Sequence, residues 1–160
     1  MKRYKLYLMK KVFFFVSFPV FLVLIIIPMT AEARVSGLVE KTSHSGFNQT
    51  VQHLKRAVAS NGLMVITTQD HQMMLGMVGV HAQKAVGFEV FHPKFGKTIY
   101  ENDPTAYLAV PIHILVQQHG NKVVVIYRKP SVILRPYNGL GDLGQQLDRA
   151  FARIETESIR

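Results

Sequence analysis

The segment 92–97, His-Pro-Lys-Phe-Gly-Lys, combines residue types that hold an anion. It lies where a predicted strand gives way to a predicted helix, and the first N–H groups of a helix, together with its dipole, favour negative charge. Lys94 and Lys97 add positive charge there, and Gly96 lets a ligand approach the backbone closely. The candidate ligand-binding residues are therefore His92, Lys94, Gly96 and Lys97, with Arg128 supplying a fork of donors from a neighbouring strand.

A structural alternative explains the same segment without a ligand. Proline is favoured at the first position of a helix, so Pro93 would only start the helix. Gly96 would then pack against the sheet, and both lysines would be solvated.

The pair Asp70-His71 is a second candidate for chemistry, because a carboxylate can orient an imidazole for acid–base work. With His92 it forms the alternative catalytic set Asp70, His71 and His92. The structural alternative is that Asp70 is the N-cap of a short helix, a role that needs only the next turn.

Metal and nucleophile chemistry lack their usual patterns. The seven histidines form no His-x-x-x-His pair and the chain has no cysteine, so we expect no metal and no cofactor. There is no Gly-x-Ser-x-Gly motif, and the glycines of 139–144 precede the last predicted helix as a loop and cap.

We expect Met73, Met74 and Met77 to pack in the core or, alternatively, to line an apolar ligand pocket.

The first 33 residues have the pattern of a secretory signal peptide. A basic start is followed by an uncharged run from Val12 to Met29, and Ala31-x-Ala33 offers the small side chains that signal peptidase needs. The basic residues are Lys2, Arg3, Lys5, Lys10 and Lys11. We expect cleavage after Ala33 and export to the periplasm or beyond, the alternative being an uncleaved anchor.

Residues 34–160 are enough for one domain with a single core. Part of the net charge of +9 belongs to the leader, and no Lys/Arg stripe with interleaved aromatics follows, so we expect no nucleic-acid partner. Membrane contact is expected only through the leader before cleavage. Without cysteine, packing must provide the stability.

Hydrophobic periodicity predicts an α+β order of elements. Strand 38–42 leads to a helix capped by Ser45 and ended by Asn61-Gly62, and strand 63–68 completes a βαβ-like opening. A short helix over 70–77, strand 85–91 and helix 94–102 follow. After Pro130 we expect an irregular stretch and then a final helix capped by Asp142.

The most distinct local pattern is a β-hairpin of 112–119 and 122–128 around Gly120-Asn121. Pairing His119 with Lys122 places Ile114, Val116, Val125 and Tyr127 on one face, the predicted core face. The other face is apolar in its middle and polar at its ends, with a possible site where His113 lies beside Arg128. We expect a homodimer that uses this face through Leu115, Val124 and Ile126.

Six landmarks follow one another along the chain: Gly46-Phe47, Gly62-Leu63, Asp70-His71, Phe91-His92-Pro93-Lys94-Phe95-Gly96, Pro111 and Tyr127-Arg128-Lys129-Pro130. Their order resembles that of the domain of unknown function 302 family. The resemblance covers roughly residues 39–154. It implies a small α+β domain, an antiparallel sheet with helices packed on it, commonly a homodimer, and it implies no activity. Family members more often carry Asn where this chain has His92.

Together these patterns predict a two-layer α+β domain that works as an exported, non-enzymatic binding module for a small anionic or amphipathic ligand. One alternative is an enzyme with an Asp/His acid–base site. The other is a structural subunit that presents its sheet face to a partner.

Export can be tested directly on the cleavage site. We expect the exported protein to begin at Arg34, and Ala33→Tyr to block processing, because the peptidase accepts only small side chains there. Intact-mass analysis of both proteins gives the answer. An exported wild-type chain that still begins at Met1 would contradict the prediction.

Overall fold

The computed structural model describes residues 35–160, so the predicted leader and its cleavage site lie outside the described residues. The strands are β1 (Leu38–Ser43), β2 (Met64–Asp70), β3 (Ala85–Phe91), β4 (Ile112–His119) and β5 (Lys122–Arg128). The α-helices are α1 (Phe47–Ser60), α2 (His71–Gly76), α3 (Lys94–Asn102), α4 (Pro130–Leu134) and α5 (Gly141–Ser158). A 3-10 helix spans Pro104–Ala109. Within 35–160, no helix is long and apolar enough to cross a membrane.

The five strands form one sheet in the order β1-β5-β4-β3-β2, and each neighbouring pair is antiparallel. This confirms the predicted α+β class. The βαβ-like opening takes an unexpected form, because α1 connects β1 and β2 across the whole sheet and leaves them at opposite edges.

The core lies between α1, α5 and one face of the sheet. Alternation along each strand turns Phe88, Ile114 and Val125 towards the helices, where all three are fully buried. They meet side chains of α1 and α5, among them Leu54 and Phe151. Burying one large apolar side chain stabilises the fold by roughly 1.5–3 kcal/mol, so this one-sided packing determines which face of each strand is the inner one.

The predicted hairpin register is confirmed. His119 pairs with Lys122, Val116 with Val125, and Ile114 with Tyr127. Gly120 has a φ of 62°, the left-handed value that the first position of this two-residue turn requires.

Three local predictions are wrong. The segment after Pro130 begins with α4 and is not irregular, because Pro130 occupies the first helical turn and Leu134 is buried against the core. The N-cap of α1 is Gly46 and that of α5 is Leu140, and neither cap uses a side chain. Asp142 lies inside the first turn of α5, where its negative charge interacts favourably with the positive end of the helix dipole.

Met73 and Met74 of α2, and Met77 just after it, were expected to pack in the core, but they do not. This helix buries none of its residues, and Met73, Met74 and Met77 are exposed.

A close approach of α4 to α5 depends on Gly144. A Cβ built at Gly144 would stand 2.8 Å from the Cα of Ser131. One turn later, Asp148 accepts hydrogen bonds from the Ser131 N–H at 2.9 Å and the Ser131 hydroxyl at 2.6 Å. The glycine and the carboxylate therefore hold α4 against α5 together.

We expect Gly144→Ala to destabilise the fold by about 1–3 kcal/mol, because backbone atoms must move to accept the methyl group. The matched control is Gly141→Ala in the same helix, where a Cβ would meet nothing within 4 Å. Alanine there should leave stability unchanged or raise it by up to about 1 kcal/mol. Urea unfolding of both variants measures the difference, and equal free energies of unfolding would contradict the account.

Candidate functional site

The start of α3, where the sequence places an anion site, has its first N–H groups already paired. The Lys94 N–H donates to His92 Nδ1 at 3.1 Å, and the Phe95 N–H donates to the His92 carbonyl at 3.0 Å. The Gly96 N–H donates to the Pro93 carbonyl at 2.8 Å. An anion at this helix start would have to replace these contacts.

The two lysines of α3 lie against different groups. Lys94 Nζ stands 4.9 Å from the centre of the Phe95 ring, while Lys97 Nζ lies 3.6 Å from the Glu101 carboxylate in an exposed pair. The Gly96 carbonyl accepts the Tyr107 hydroxyl at 2.8 Å. Ligand binding at His92, Lys94, Gly96 and Lys97 stays a prediction, and each of these residues already has an intramolecular contact.

The alternative catalytic residues are not brought together. Asp70 caps α2, accepting the Met73 N–H at 2.9 Å. His71 lies over Gly87, with its Nε2 3.0 Å from the point where a Cβ of residue 87 would be. Five residues of extended chain, roughly 16 Å at the usual strand rise, separate Gly87 from His92.

The sheet face away from the core carries a row of polar side chains near the start of β4. We call this the outer face. Glu89 on β3 pairs with His113 on β4, and His113 Nε2 lies 3.2 Å from Glu89 Oε1. Gln69 on β2 donates to the same oxygen at 3.2 Å. Since Ile114 pairs with Tyr127, the next residue, Arg128, lies across from His113 on this face.

Sequence reasoning missed Glu89 and Gln69. Glu89 stands between the buried residues Phe88 and Val90, so an acidic side chain in the middle of an apolar strand was the available indication of a polar contact on the other face. The identity of its partners depends on the β2–β3 and β3–β4 registers, which the hairpin pattern does not contain.

A groove of about 370 Å³ opens at the Arg128 end of the outer face. Its apolar lining includes Leu38, Leu108, Leu115, Ile126 and Ile133, and its polar lining includes His113 and Arg128. Arg128 donates from Nε to the Ser36 carbonyl at 3.2 Å, which holds the side chain beside the groove. Of the predicted ligand-binding residues, Arg128 lines this groove, whereas His92, Lys94, Gly96 and Lys97 do not.

Tyr127, next to Arg128, has a structural role. Burial and the neighbouring Glu155 carboxylate raise the pKa of its hydroxyl far above the usual value. The hydroxyl therefore keeps its proton and donates to Glu155 Oε2 at 3.1 Å, joining β5 to α5.

Among residues 35–160, no group of three His, Asp or Glu side chains converges to hold a metal ion.

Comparison with known proteins agrees with this architecture. A family model described as "Domain of unknown function DUF302" matches residues 39–155. The crystal structure of an uncharacterized conserved protein DUF302 from Bacillus stearothermophilus superposes with a TM-score of 0.71 at 16% identity, covering 79% of this chain and 100% of that chain. None of the curated proteins matches the chain.

The place of His71 on the outer face depends on the missing side chain at Gly87. We expect Gly87→Ala to displace the His71 imidazole, because the new methyl group would meet Nε2 at 3.0 Å. The control is Gly96→Ala, where a Cβ would stand 3.6 Å from the Tyr107 hydroxyl, an ordinary contact. Histidine ring resonances in NMR spectra report the change, and an unmoved His71 signal in Gly87→Ala would disprove this packing.

Proposed function

We propose that this chain, which belongs to the family described as domain of unknown function DUF302, is a binding module for a small amphipathic anion. The groove on the outer face would hold the ligand, with Arg128 at its charged end. The observation that carries the proposal is this combination of an apolar lining with one guanidinium in a single groove. Such a site would lie outside the cytoplasm in the exported chain that the sequence predicts.

The apolar lining suits a hydrocarbon tail. Leu115 and Ile126 form the floor on the sheet, both half-buried, and Leu108 at the rim is 89% exposed. Each methylene group that leaves water contributes roughly 0.8 kcal/mol, so a few methylenes over this floor give measurable binding. The groove volume is near the lower end of the range of about 300–1,000 Å³ typical of small-molecule sites.

The charged end suits a carboxylate or a similar oxyanion. A guanidinium presents a planar fork of donors that matches two anion oxygens, and Arg128 is exposed while its Nε is fixed by Ser36. His113 lies beside it and is itself held by Glu89, so its ring is a second polar group at this end. The guanidinium of Arg128 favours an anionic headgroup over a cationic one.

The predicted homodimer is a second candidate for the same face. Leu115 and Ile126 would meet a second copy, whereas Val124 is 4% exposed and already buried within the chain. A dimer across this face would close the groove, so association and ligand binding would compete. Support for the dimer comes from the half-buried apolar floor and from the family resemblance.

Calorimetric titration with decanoate, below its micelle concentration, tests the groove. We expect Arg128→Gln to weaken binding about tenfold, because a hydrogen bond to a charged group is worth roughly 1.5–3 kcal/mol and this end is open to solvent. Decyltrimethylammonium, the same tail with a cationic head, should bind more weakly than decanoate.

The control variant is the double change Lys94→Gln and Lys97→Gln, which should leave decanoate affinity unchanged. If this variant loses affinity and Arg128→Gln does not, the anion lies at the start of α3 and the groove proposal is wrong. If light scattering shows a dimer and calorimetry detects no decanoate binding to it, the homodimer across the outer face is favoured.

A further inference from the structure

The connection between β2 and β3 exposes an unusual concentration of apolar side chains. Six large hydrophobic residues within 73–80 are exposed, and the most exposed are Met77 at 80% and Val78 at 74%. The others are Met73, Met74, Leu75 and Val80. We call residues 73–80 the apolar loop. Exposed apolar side chains that are concentrated in one place mark an interaction site more often than scattered ones do.

The apolar loop is held in shape by its own hydrogen bonds. Asp70 caps α2, and the Val80 N–H donates to the Leu75 carbonyl at 3.0 Å. Gln72 donates from its side chain to the Ala82 carbonyl at 3.0 Å, which closes the base of the loop. Gly79 takes the left-handed conformation with φ 80°, which lets the chain turn back. The backbone is thus satisfied locally while the side chains point away from the core.

Positive and neutral groups surround the apolar loop. The sequence between Asp70 and Glu89 has no acidic residue and contains Lys84, His71 and His81. The β4–β5 turn lies beside the base of the loop, because the Gly120 N–H donates to Gln83 Oε1 at 2.9 Å and the Gln118 N–H donates to the Lys84 carbonyl at 2.8 Å.

That turn brings two further exposed groups, His119 and Lys122, to the same end of the sheet. It also carries no acidic residue, since the chain has none between Asp103 and Asp142. Asp70 is the acidic residue next to the loop, and its carboxylate is engaged in capping α2.

An apolar tip with a cationic base matches the interface of an anionic lipid bilayer, where apolar side chains enter the acyl boundary and Lys residues meet the headgroups. We propose that the apolar loop docks the domain onto an anionic lipid surface, with Met77 and Val78 inserting and the exposed Lys122 facing the headgroups. Lys84 Nζ lies 5.7 Å from the centre of the Phe47 ring and adds positive charge at the same end of the sheet. Unbranched methionine side chains adapt well to disordered acyl chains.

Charge favours a lipid surface over a second copy as the occupant. Two copies meeting through this loop would bring their Lys84 and Lys122 groups together, whereas anionic headgroups would neutralise them. The groove of the proposed function lies at the start of β4 and this loop lies beside its end, so docking leaves the groove open. The two proposals therefore stand or fall separately.

The absence of tryptophan from the chain permits a specific test of insertion. Val78→Trp places a single fluorophore at the tip, and Tyr100→Trp places one at another exposed site, 70% exposed on α3. With vesicles of phosphatidylglycerol and phosphatidylcholine, we expect a blue shift of emission for Val78→Trp and none for Tyr100→Trp. Pure phosphatidylcholine vesicles should give a much smaller shift. This readout reports on the loop whether or not the leader remains attached.

Co-sedimentation of exported protein with the same vesicles tests the residues. The double change Met77→Ser and Val78→Ser should lower the bound fraction several-fold, and so should Lys84→Gln with Lys122→Gln. Added salt should lower the bound fraction of the wild-type protein. Tyr100→Ser, at an exposed apolar site on α3 outside both the loop and the groove, should leave the bound fraction unchanged. An unshifted Val78→Trp emission would overturn the proposal. So would a dimer in light scattering that Met77→Ser with Val78→Ser dissociates, because a second copy would then cover the loop.

Discussion

The antiparallel pairing of β4 with β5 is the constraint on which the rest of this structure depends. A two-residue turn at Gly120 fixes the register, and the register fixes which side chains face α1 and α5. After a slip of one residue, only one strand of the pair could keep its apolar side chains on the inner face, so either Ile114 or Val125 would be exposed to water. The same pairing that buries them leaves His113 and Arg128 side by side on the outer face. Core packing and the candidate chemistry are thus two consequences of one register.

Because α1 and α5 cover only the inner face, the outer face has positions that packing does not dictate. Polar and small residues occupy many of them: Glu89 accepts from Gln69 and His113, and Gly87 leaves room for His71. The apolar floor of Leu115 and Ile126 remains half-buried between these polar ends. The packing that stabilises the fold is therefore on the inner face of the sheet, and the outer face is available for binding.

Local patterns in the sequence predicted the elements that depend on neighbouring residues. They did not predict the side-chain contacts that depend on the pairing of strands distant in sequence. The hairpin, α3 and the strand β3 follow from patterns within a few residues, and all are present. The contact of Glu89 with His113 requires the β3–β4 register across α3 and the 3-10 helix, which no local pattern specifies. The methionines of α2 were expected inside because Met is apolar, but apolar character alone does not reveal whether anything packs on a helix.

The start of α3 shows why residue types alone overstate an anion site. Helix N-termini attract anions through N–H groups that lack partners, and His92 supplies partners to two of them through Nδ1 and its carbonyl. The imidazole accepts the Lys94 N–H at Nδ1, so it occupies a donor that an anion at this helix start would need. The fixed positive charge that lies beside an apolar groove is Arg128 on the sheet.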